Sequence, residues 1–414
     1  MLLASNVFVM FYDELITLIL IGIAVADSIM NGRWELYRGL WLVLGIIVFY
    51  TFYSLICVHF NTARYILTDT LIEIKPYIAF FSFYSIAPSL TEKRKKLLKI
   101  AALFVASVTA VVLYIGSRAT VFVFSHFAVG GAIMFLCAML FWSSSVERNG
   151  NLKSLDKSVI LGILIAGLLC GRSKYYGYFI LAVFFLFIYR PGFLSNFKVK
   201  HMVAIIALAV IVIAVTWEKF YFYFIIGSSD IFDPNVQSSF ARPALYATAL
   251  LILLDFFPFG CGLASFATYP SAANYSTLYY EYGLDKIYGL SPEMPDFIMD
   301  AFFPTLAQYG IVGVALFIWF WGFSYRPLRF MLRIDSHKYK YMFSIGSLLI
   351  CYVLIESVGN TSFVQPTGQV AMMLLGIICG QGKLLMRQDP VPAQNSGITD
   401  TTDHPTSKTI RHKI

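Results

Sequence analysis

The amino-acid sequence predicts an all-α integral membrane protein with about 11 (10–12) transmembrane helices and one long outward-facing loop that contains an interfacial helix. Hydrophobic residues make up 58% of the chain and charged residues only 13%, a balance that excludes an ordinary soluble globular domain. Apolar runs of roughly 18 or more residues recur along the chain, as expected of helices that cross a hydrocarbon core about 30 Å thick. No cleavable signal peptide is evident, because Asp13 and Glu14 interrupt the first apolar run.

Apolar segments predict eight crossing helices before the long loop and three after it. They lie near 12–30, 39–59, 67–88, 98–117, 121–143, 157–171, 175–190, 201–217, 299–323, 341–358 and 366–383. The third segment is the weakest, since it contains Asp69, Glu73 and Lys75 and since Pro76 would kink it.

The basic residues fall mainly in alternate loops, and their distribution predicts the orientation of the chain. The loops near 33–38, 93–99, 148–157, 190–200 and 326–340 contain 18 Lys and Arg residues, whereas the opposite set of loops contains 7. Excess Lys and Arg marks cytoplasmic loops, so we expect the first set to be cytoplasmic and the N-terminus to lie outside. The net charge of +8 therefore need not indicate a nucleic-acid partner.

The segment 243–257 is apolar but short for a crossing. A crossing there would turn the basic loop 325–340 outward, so we expect a helix that lies on, or dips into, the outer face of the membrane. Four parts are predicted in chain order: a transmembrane bundle of about 8 helices (1–217), a large extracytoplasmic loop with the presumed site (218–298), about three C-terminal transmembrane helices (299–387) and a disordered cytoplasmic tail (388–414).

Three cationic residues lie at predicted outer ends of membrane helices. Desolvating a charge there costs several kcal/mol, so a charged residue in this position is a functional candidate. Arg172, in CGRSKYYG, is either an arginine that snorkels to headgroups or a bidentate donor to a phosphate or pyrophosphate, and Lys174 would add a second positive charge. Arg118, in YIGSRATVF, has a similar setting, in which snorkelling is the favoured explanation.

Arg242 is the sharpest single candidate in the sequence. It precedes Pro243 at the start of the apolar segment, where a helix N-terminus is expected. A cation there is disfavoured by the helix dipole, so a negative group should hold it. That group is either an anionic ligand or one of three carboxylates, which are Asp230, Asp233 and Asp255.

The long loop also contains a glycine-rich turn and a tyrosine-rich run. GCGLASF (260–266) lacks the third glycine of a dinucleotide fingerprint and predicts a tight turn with close backbone approach. The run from Thr268 to Gly283, which includes Tyr279 and Tyr280, offers the ring faces and hydroxyls that a sugar-binding surface needs. On composition alone, the interfacial aromatic belt of a membrane protein explains the run better.

Carboxylates near the outer face are the candidates for acid–base chemistry. Asp296 and Asp300 would share one face of a helix that starts there, either as helix caps or, for one of them, as a general base on a sugar hydroxyl. Glu356, in LIESVGNTSF at the outer end of a helix, is a further candidate.

These motifs resemble the O-antigen ligase and O-antigen polymerase superfamily. The pattern is Arg242, an apolar stretch, PFGCGLASF, a polar loop, and DAFFPTLAQYGIVG from Asp300 onward. Upstream, CGRSKYYG looks like the family's Arg-Ser motif, and FYDELITL and ESVGNTSFVQPTG also look like that family. Ligases of the family carry a His-Asn pair at the start of the last motif, where this chain has Met299 and Asp300, so the resemblance favours a polymerase.

The resemblance implies a metal-independent glycosyltransferase without a cofactor, in the bacterial cytoplasmic membrane and acting on its outer face. It would join undecaprenyl-pyrophosphate-linked repeat units into O-antigen, capsule or exopolysaccharide, with a flippase and a chain-length regulator as partners. Arg172 and Arg242 would bind the pyrophosphate, Asp300 would act as base, and the other site residues would bind substrate. Those residues are Lys174, Arg118, Tyr279, Tyr280, Asp296 and Glu356. The alternatives are a ligase that transfers glycan to lipid A core and an exporter of polysaccharide or lipid-linked sugar.

Overall fold

The computed structural model describes residues 12–118, 124–147, 150–189, 217, 221, 240–334 and 336–388, and these residues are mainly helical. They contain no β-strand beyond an isolated bridge between Ser291 and Met294. We number the helices of eleven or more residues in chain order. These are α1 (Tyr12–Asn31), α2 (Arg38–Ile56), α3 (Ala63–Ile86), α4 (Glu92–Arg118), α5 (Phe124–Ser145), α6 (Ser154–Gly167), α7 (Ser173–Val183), α8 (Ala241–Asp255), α9 (Gly310–Met331), α10 (His337–Ser357) and α11 (Pro366–Gln388).

Most predicted crossing segments coincide with helices where the structure describes them, but the first part of the segment 299–323 forms turns and a 3-10 helix. The segment 201–217 lies outside the described residues, except for Trp217. Within the described ranges, six helices are long and apolar enough to cross a membrane. They span Trp34–Ile56, Glu92–Gly116, Ala128–Ser145, Phe303–Met331, His337–Ser357 and Pro366–Gln388. The all-helical membrane fold is therefore confirmed, whereas the number of about 11 crossings remains a prediction.

Helix α3 lies against α11 over most of its length. Gly376 and Gly380 of α11 allow this approach, because a Cβ atom at Gly376 would meet the backbone of Phe80, and one at Gly380 would meet Ala87. Replacing either glycine would force the two helices apart.

Lys75, in the middle of α3, is buried and paired with two carboxylates, which explains how this charge packs in the bundle. The ammonium group of Lys75 contacts Asp13 at 2.6 Å and Glu14 at 2.8 Å, both on α1. The helix also continues through Pro76. The charge of Lys75 is tolerated here because it is paired inside the protein rather than exposed to lipid.

Helix α8 (Ala241–Asp255) covers most of the segment 243–257, whose interfacial position was predicted. Its side chains Leu250 and Leu254, and Phe257 beyond its end, are exposed and recur at the helical spacing of three to four residues. This apolar stripe is compatible with contact to lipid, and the position of α8 relative to the membrane remains a prediction.

The glycine-rich turn after α8 is fixed by close backbone contact, as its sequence predicted. Gly260 has φ +83° and Gly310, at the start of α9, has φ +62°. A Cβ atom on Gly260 would overlap the backbone of Ala307 and Gly310, and one on Gly310 would overlap the backbone of Pro258 and Gly260. The loop therefore lies directly on the first turn of α9.

Buried side chains of α2 and α3 hold the same loop from the other side. Asp69 accepts a hydrogen bond of 2.7 Å from the backbone N–H of Ala264, and Ser54 accepts one of 2.7 Å from that of Leu263. Gln308 accepts a bond of 2.9 Å from the N–H of Ser265 and donates to Asp69 at 3.3 Å. Because irregular backbone must be satisfied when it is buried, these polar residues are what anchors the loop to the helical bundle.

Candidate functional site

The start of α7 brings two cationic residues to one end of the bundle. Gly171, with φ +62°, ends the preceding turn of 3-10 helix, and Arg172 caps α7 in an extended conformation. Lys174 and Tyr178 lie four residues apart and therefore share one face of α7.

Arg242, the second residue of α8, forms an ion pair with Asp300. Its Nη2 lies 2.6 Å from Oδ2 of Asp300, and the side chains are 17% and 30% exposed. The predicted partner Asp255 instead accepts a hydrogen bond from Tyr282 at 2.7 Å; Asp230 and Asp233 lie outside the described residues. A negative group does hold the cation at this helix N-terminus, as the dipole argument required.

The segment that carries Asp300 is a series of turns, which corrects the prediction of a helix starting there. The N–H of Asp300 donates to the carbonyl of Phe297 at 3.1 Å, and the N–H of Phe302 donates to the carbonyl of Ser357 at 3.0 Å. A 3-10 helix, Phe303–Tyr309, then leads into α9. Asp300 is therefore positioned by its attachment to the end of α10 rather than by a helix of its own.

Glu356, in the last turn of α10, accepts hydrogen bonds from α7. The hydroxyl of Tyr178 donates to Oε1 at 2.6 Å, and the ammonium of Lys174 lies 3.3 Å from Oε2. Lys174 also lies 3.3 Å from the carbonyl oxygen of Glu356. Charge-assisted bonds of this kind fix a carboxylate in one orientation.

The residues after α10 pack directly against α8. A Cβ atom on Gly359 would lie 3.0 Å from Cζ of Arg242, so the guanidinium rests on a residue without a side chain. One turn further along α8, the hydroxyl of Tyr246 donates to the carbonyl of Val358 at 2.9 Å. The end of α10 thus supports both the Arg242–Asp300 pair and the Glu356 carboxylate.

These groups line one cavity of about 330 Å³. Its basic and carboxylic side chains are Arg172, Lys174, Arg242, Asp300 and Glu356. Asn360 and Gln365 add neutral hydrogen-bonding groups, and Tyr175, Tyr178 and small residues of α5 complete the wall. Three cations face two carboxylates, so the cavity can bind an anion while it offers a carboxylate to a hydroxyl group.

The structure brings together five of the nine predicted site residues and places three elsewhere. Tyr279 is fully buried, and its hydroxyl accepts from the N–H of Ala267 at 2.8 Å, so its position does not fit the predicted sugar contact. Burial raises the pKa of this phenol above its usual value. Tyr280 and Asp296 are exposed and do not line the cavity. Arg118 ends α4, but its side chain lies outside the described residues.

Sequence reasoning missed two residues that shape the site. Tyr178 binds Glu356, and its signal was the four-residue spacing from Lys174 on a helix. Gly359 supports Arg242 and follows Glu356 by one helical turn. Glycine is common just after the end of a helix, so its presence in the sequence carried no specific signal for a site.

Comparison with protein families supplies independent evidence. Residues 157–318 match the family described as O-antigen ligase. The match covers less than half of the chain, and it includes Arg172, Lys174, Arg242 and Asp300. It confirms the resemblance to the O-antigen ligase and polymerase superfamily and indicates a glycan-processing function in a membrane. No curated protein sequence matches the chain significantly.

Proposed function

We propose that this chain, whose residues 157–318 match the O-antigen ligase family, is a metal-independent membrane glycosyltransferase that polymerises undecaprenyl-pyrophosphate-linked oligosaccharide repeat units into O-antigen, capsule or exopolysaccharide. The observation that carries the proposal is the cavity in which Arg172, Lys174 and Arg242 face Asp300 and Glu356. We assign the enzyme to the bacterial cytoplasmic membrane with its active face outward, where a flippase would deliver the donor and a chain-length regulator would act on the product.

The arginines fit a polyprenyl pyrophosphate. Guanidinium groups bind phosphate oxygens bidentately and stay charged at every relevant pH. Arg242 is pre-positioned by Asp300 and Gly359, so little side-chain entropy is lost when the pyrophosphate binds. Arg172, at the N-terminus of α7, adds its charge to the positive end of a helix, which also favours an anion.

The reaction needs a base and a stabilised leaving group. A hydroxyl of the acceptor sugar attacks the anomeric carbon of the donor, the bond from that carbon to the pyrophosphate oxygen breaks, and undecaprenyl pyrophosphate leaves. Asp300 lines the cavity beside Arg242, within reach of a bound sugar, and takes the proton of the attacking hydroxyl. Arg172 and Arg242 stabilise the charge that develops on the pyrophosphate. Glu356 orients the acceptor, because each of its carboxylate oxygens has a second lone pair that can accept a hydrogen bond from a sugar hydroxyl.

The ligase reaction is the second candidate, and the description of the matching family favours it. It uses the same donor chemistry but transfers a finished chain to lipid A core. Two features of the sequence count against a ligase. Met299 and Asp300 stand where ligases of the family carry a His-Asn pair, and residues 218–298 contain no histidine. The cavity does not support the exporter alternative. An exporter should have charged groups along a path through the bundle, whereas the charged groups of the cavity lie together at one end of the bundle.

Gel analysis of surface glycan in a deletion strain tests the proposal. The strain carries wild type, Arg242→Ala, Asp300→Asn or the control Arg64→Ala, which removes an exposed arginine at the start of α3. The proposal expects single repeat units on lipid and loss of long chains for the two site variants, and normal chains for the control.

Other outcomes would overturn parts of the proposal. Long chains that accumulate on undecaprenyl pyrophosphate but are missing from lipid A would identify a ligase. Unit-length material trapped inside the cell would identify an exporter. Full polymer yield from Arg242→Ala at a normal protein level would show that the site assignment is wrong.

A further inference from the structure

A second, larger cavity lies at the other end of the helical bundle. It has a volume of about 560 Å³ and is formed where α3, α4, α5, α10 and α11 meet. Lys338 of α10 lines it, whereas Glu356, 18 residues later on the same helix, lines the candidate site. At ~1.5 Å per residue the two positions are separated by about 27 Å along the helix. The cavity is therefore distinct from the site described above.

One side of this cavity is polar and carries a positive charge. Lys95 and Lys338 line it, and Glu92 is its one acidic lining residue within the part of the chain that the structure describes. The ammonium of Lys95 lies 3.1 Å from Glu92 and 3.1 Å from the carbonyl of Val146, which holds it at the edge of the cavity. Ser89, Thr91, Ser143, Gln381 and Gln388 provide further hydrogen-bonding groups.

The opposite side is apolar. Met342 and Ile345 of α10 and Leu374, Ile377 and Ile378 of α11 form this wall, which runs from the polar rim toward the centre of the bundle. A wall of this kind offers nothing to a free inorganic anion, but it suits a hydrocarbon chain.

The position of the cavity agrees with a ligand from the cytoplasmic leaflet. Its polar rim is built from the helix ends at Ala87–Lys95, Ser143–Val146 and Lys338, which belong to the set of loops that the distribution of Lys and Arg predicts to be cytoplasmic. Anionic lipids of that leaflet are attracted to basic groups beside membrane helices, and basic pockets between such helices bind phosphate headgroups.

We propose that this cavity binds one anionic phospholipid, with its phosphate between Lys95 and Lys338 and the start of an acyl chain along Ile345, Leu374 and Ile377. Two lysines line the cavity, and basic groups beside membrane helices attract anionic headgroups more strongly than zwitterionic ones. The apolar wall favours a lipid over free phosphate. The proposal does not depend on the glycan chemistry at the other end of the chain.

Native mass spectrometry of the purified full-length protein tests the proposal. Dioleoyl phosphatidylglycerol or dioleoyl phosphatidylcholine is added in detergent, and retained lipid is counted. The test variant is Lys95→Gln/Lys338→Gln. The matched control is Lys93→Gln/Lys96→Gln, which removes the same charge from exposed positions of α4 outside the cavity. A third variant, Ile377→Trp, fills the apolar side without changing the charge.

We expect one tightly retained phosphatidylglycerol in the wild type and in the control. We expect about 10-fold weaker retention in the test variant, since each lysine near a lipid surface contributes attraction, and a comparable loss in Ile377→Trp. Equal retention of phosphatidylcholine would contradict the preference for an anionic headgroup. Full competition by inorganic phosphate would show that the cavity binds a phosphate group rather than a lipid. Unchanged retention in Lys95→Gln/Lys338→Gln or in Ile377→Trp would place the lipid elsewhere.

Discussion

Tyr178 and Glu356 are joined by a hydrogen bond of 2.6 Å that links the middle of α7 to the last turn of α10. The bond fixes one carboxylate oxygen of Glu356, while Lys174, one helical turn earlier on α7, contacts the other at 3.3 Å. The Glu356 carboxylate is therefore held from one helix by a neutral and a charged donor. In the proposed reaction, this arrangement makes Tyr178 and Lys174 positioning residues for Glu356.

Removing the hydroxyl of Tyr178 should loosen Glu356. We expect Tyr178→Phe to lower the stability of the purified protein by about 1–2 kcal/mol, because a hydrogen bond to a charged group is lost in a buried setting. Polymer yield should fall as well, and Lys174 should limit the loss. The control is Tyr176→Phe on the same helix, a change that removes a half-buried hydroxyl outside the cavity. Equal polymer yields from the two variants would contradict the positioning role, and equal heat-unfolding midpoints would contradict the contribution of the hydrogen bond to stability.

A small change at Gly359 tests whether the position of Arg242 matters. An alanine Cβ there would lie 3.0 Å from Cζ and 3.2 Å from Nη1 of Arg242, so the guanidinium must shift by a few tenths of an ångström. Since reactions depend steeply on the placement of charged groups, we expect Gly359→Ala to lower polymer yield roughly 3- to 10-fold at normal protein level.

The matched control for Gly359→Ala is Gly177→Ala. Gly177 lies on α7, next to the helix face that carries Lys174 and Tyr178, and a Cβ atom there would meet nothing within 4 Å. This variant should keep wild-type chain length on the same gels. Normal polymer from Gly359→Ala would mean that the contact with Arg242 has no bearing on the activity.

The helices were predictable because the signal that defines them is local. Apolar runs place α2, α5 and α10 within a few residues of their observed ends. The length and hydrophobicity of such a segment can be read directly from the local sequence. The prediction near 299–323 was less accurate. The chain forms turns and a 3-10 helix before α9 begins at Gly310, and α9 continues through Pro327 to Met331.

The site was predictable as separate residues but not as pairs. Arg172, Arg242 and Asp300 stood out because charge beside an apolar segment is costly and needs a reason. The pairing of Arg242 with Asp300 depends on how the turns after Phe297 attach to the end of α10, which no local pattern encodes. Likewise, nothing near Tyr279 in the sequence distinguishes a buried anchor from an exposed sugar contact.

The two adjacent tyrosines of the long loop should respond differently to loss of their hydroxyls. Tyr279 accepts from the N–H of Ala267 and shares a hydrogen bond of 2.8 Å with Ser271, so Tyr279→Phe leaves a buried N–H without its acceptor. We expect a loss of about 1–3 kcal/mol in stability. Tyr280 is 53% exposed, and Tyr280→Phe should leave the heat-unfolding midpoint unchanged. The opposite order would contradict the anchoring role of Tyr279.

The contact between Gly260 and Gly310 should be the most sensitive point of the loop that leads to Asp300. Two effects act at Gly260: its φ of +83° disfavours any residue with a Cβ atom, and that atom would overlap the backbone of Ala307 and Gly310. Gly283 isolates the first effect, because it has φ +66° and open space around it. Gly283→Ala should therefore cost only the backbone strain of about 1–2 kcal/mol.

Gly260→Ala should cost the same strain and, in addition, about 1–3 kcal/mol for pushing the loop away from α9. We expect Gly283→Ala to accumulate in membranes and unfold at a slightly lower temperature than the wild type. Gly260→Ala should accumulate poorly, and its purified fraction should unfold at a clearly lower temperature than Gly283→Ala. Since backbone strain is common to both variants, similar midpoints would mean that the loop can move away from Gly310 at little cost. The close contact at Gly260 would then not be what holds the loop against the first turn of α9.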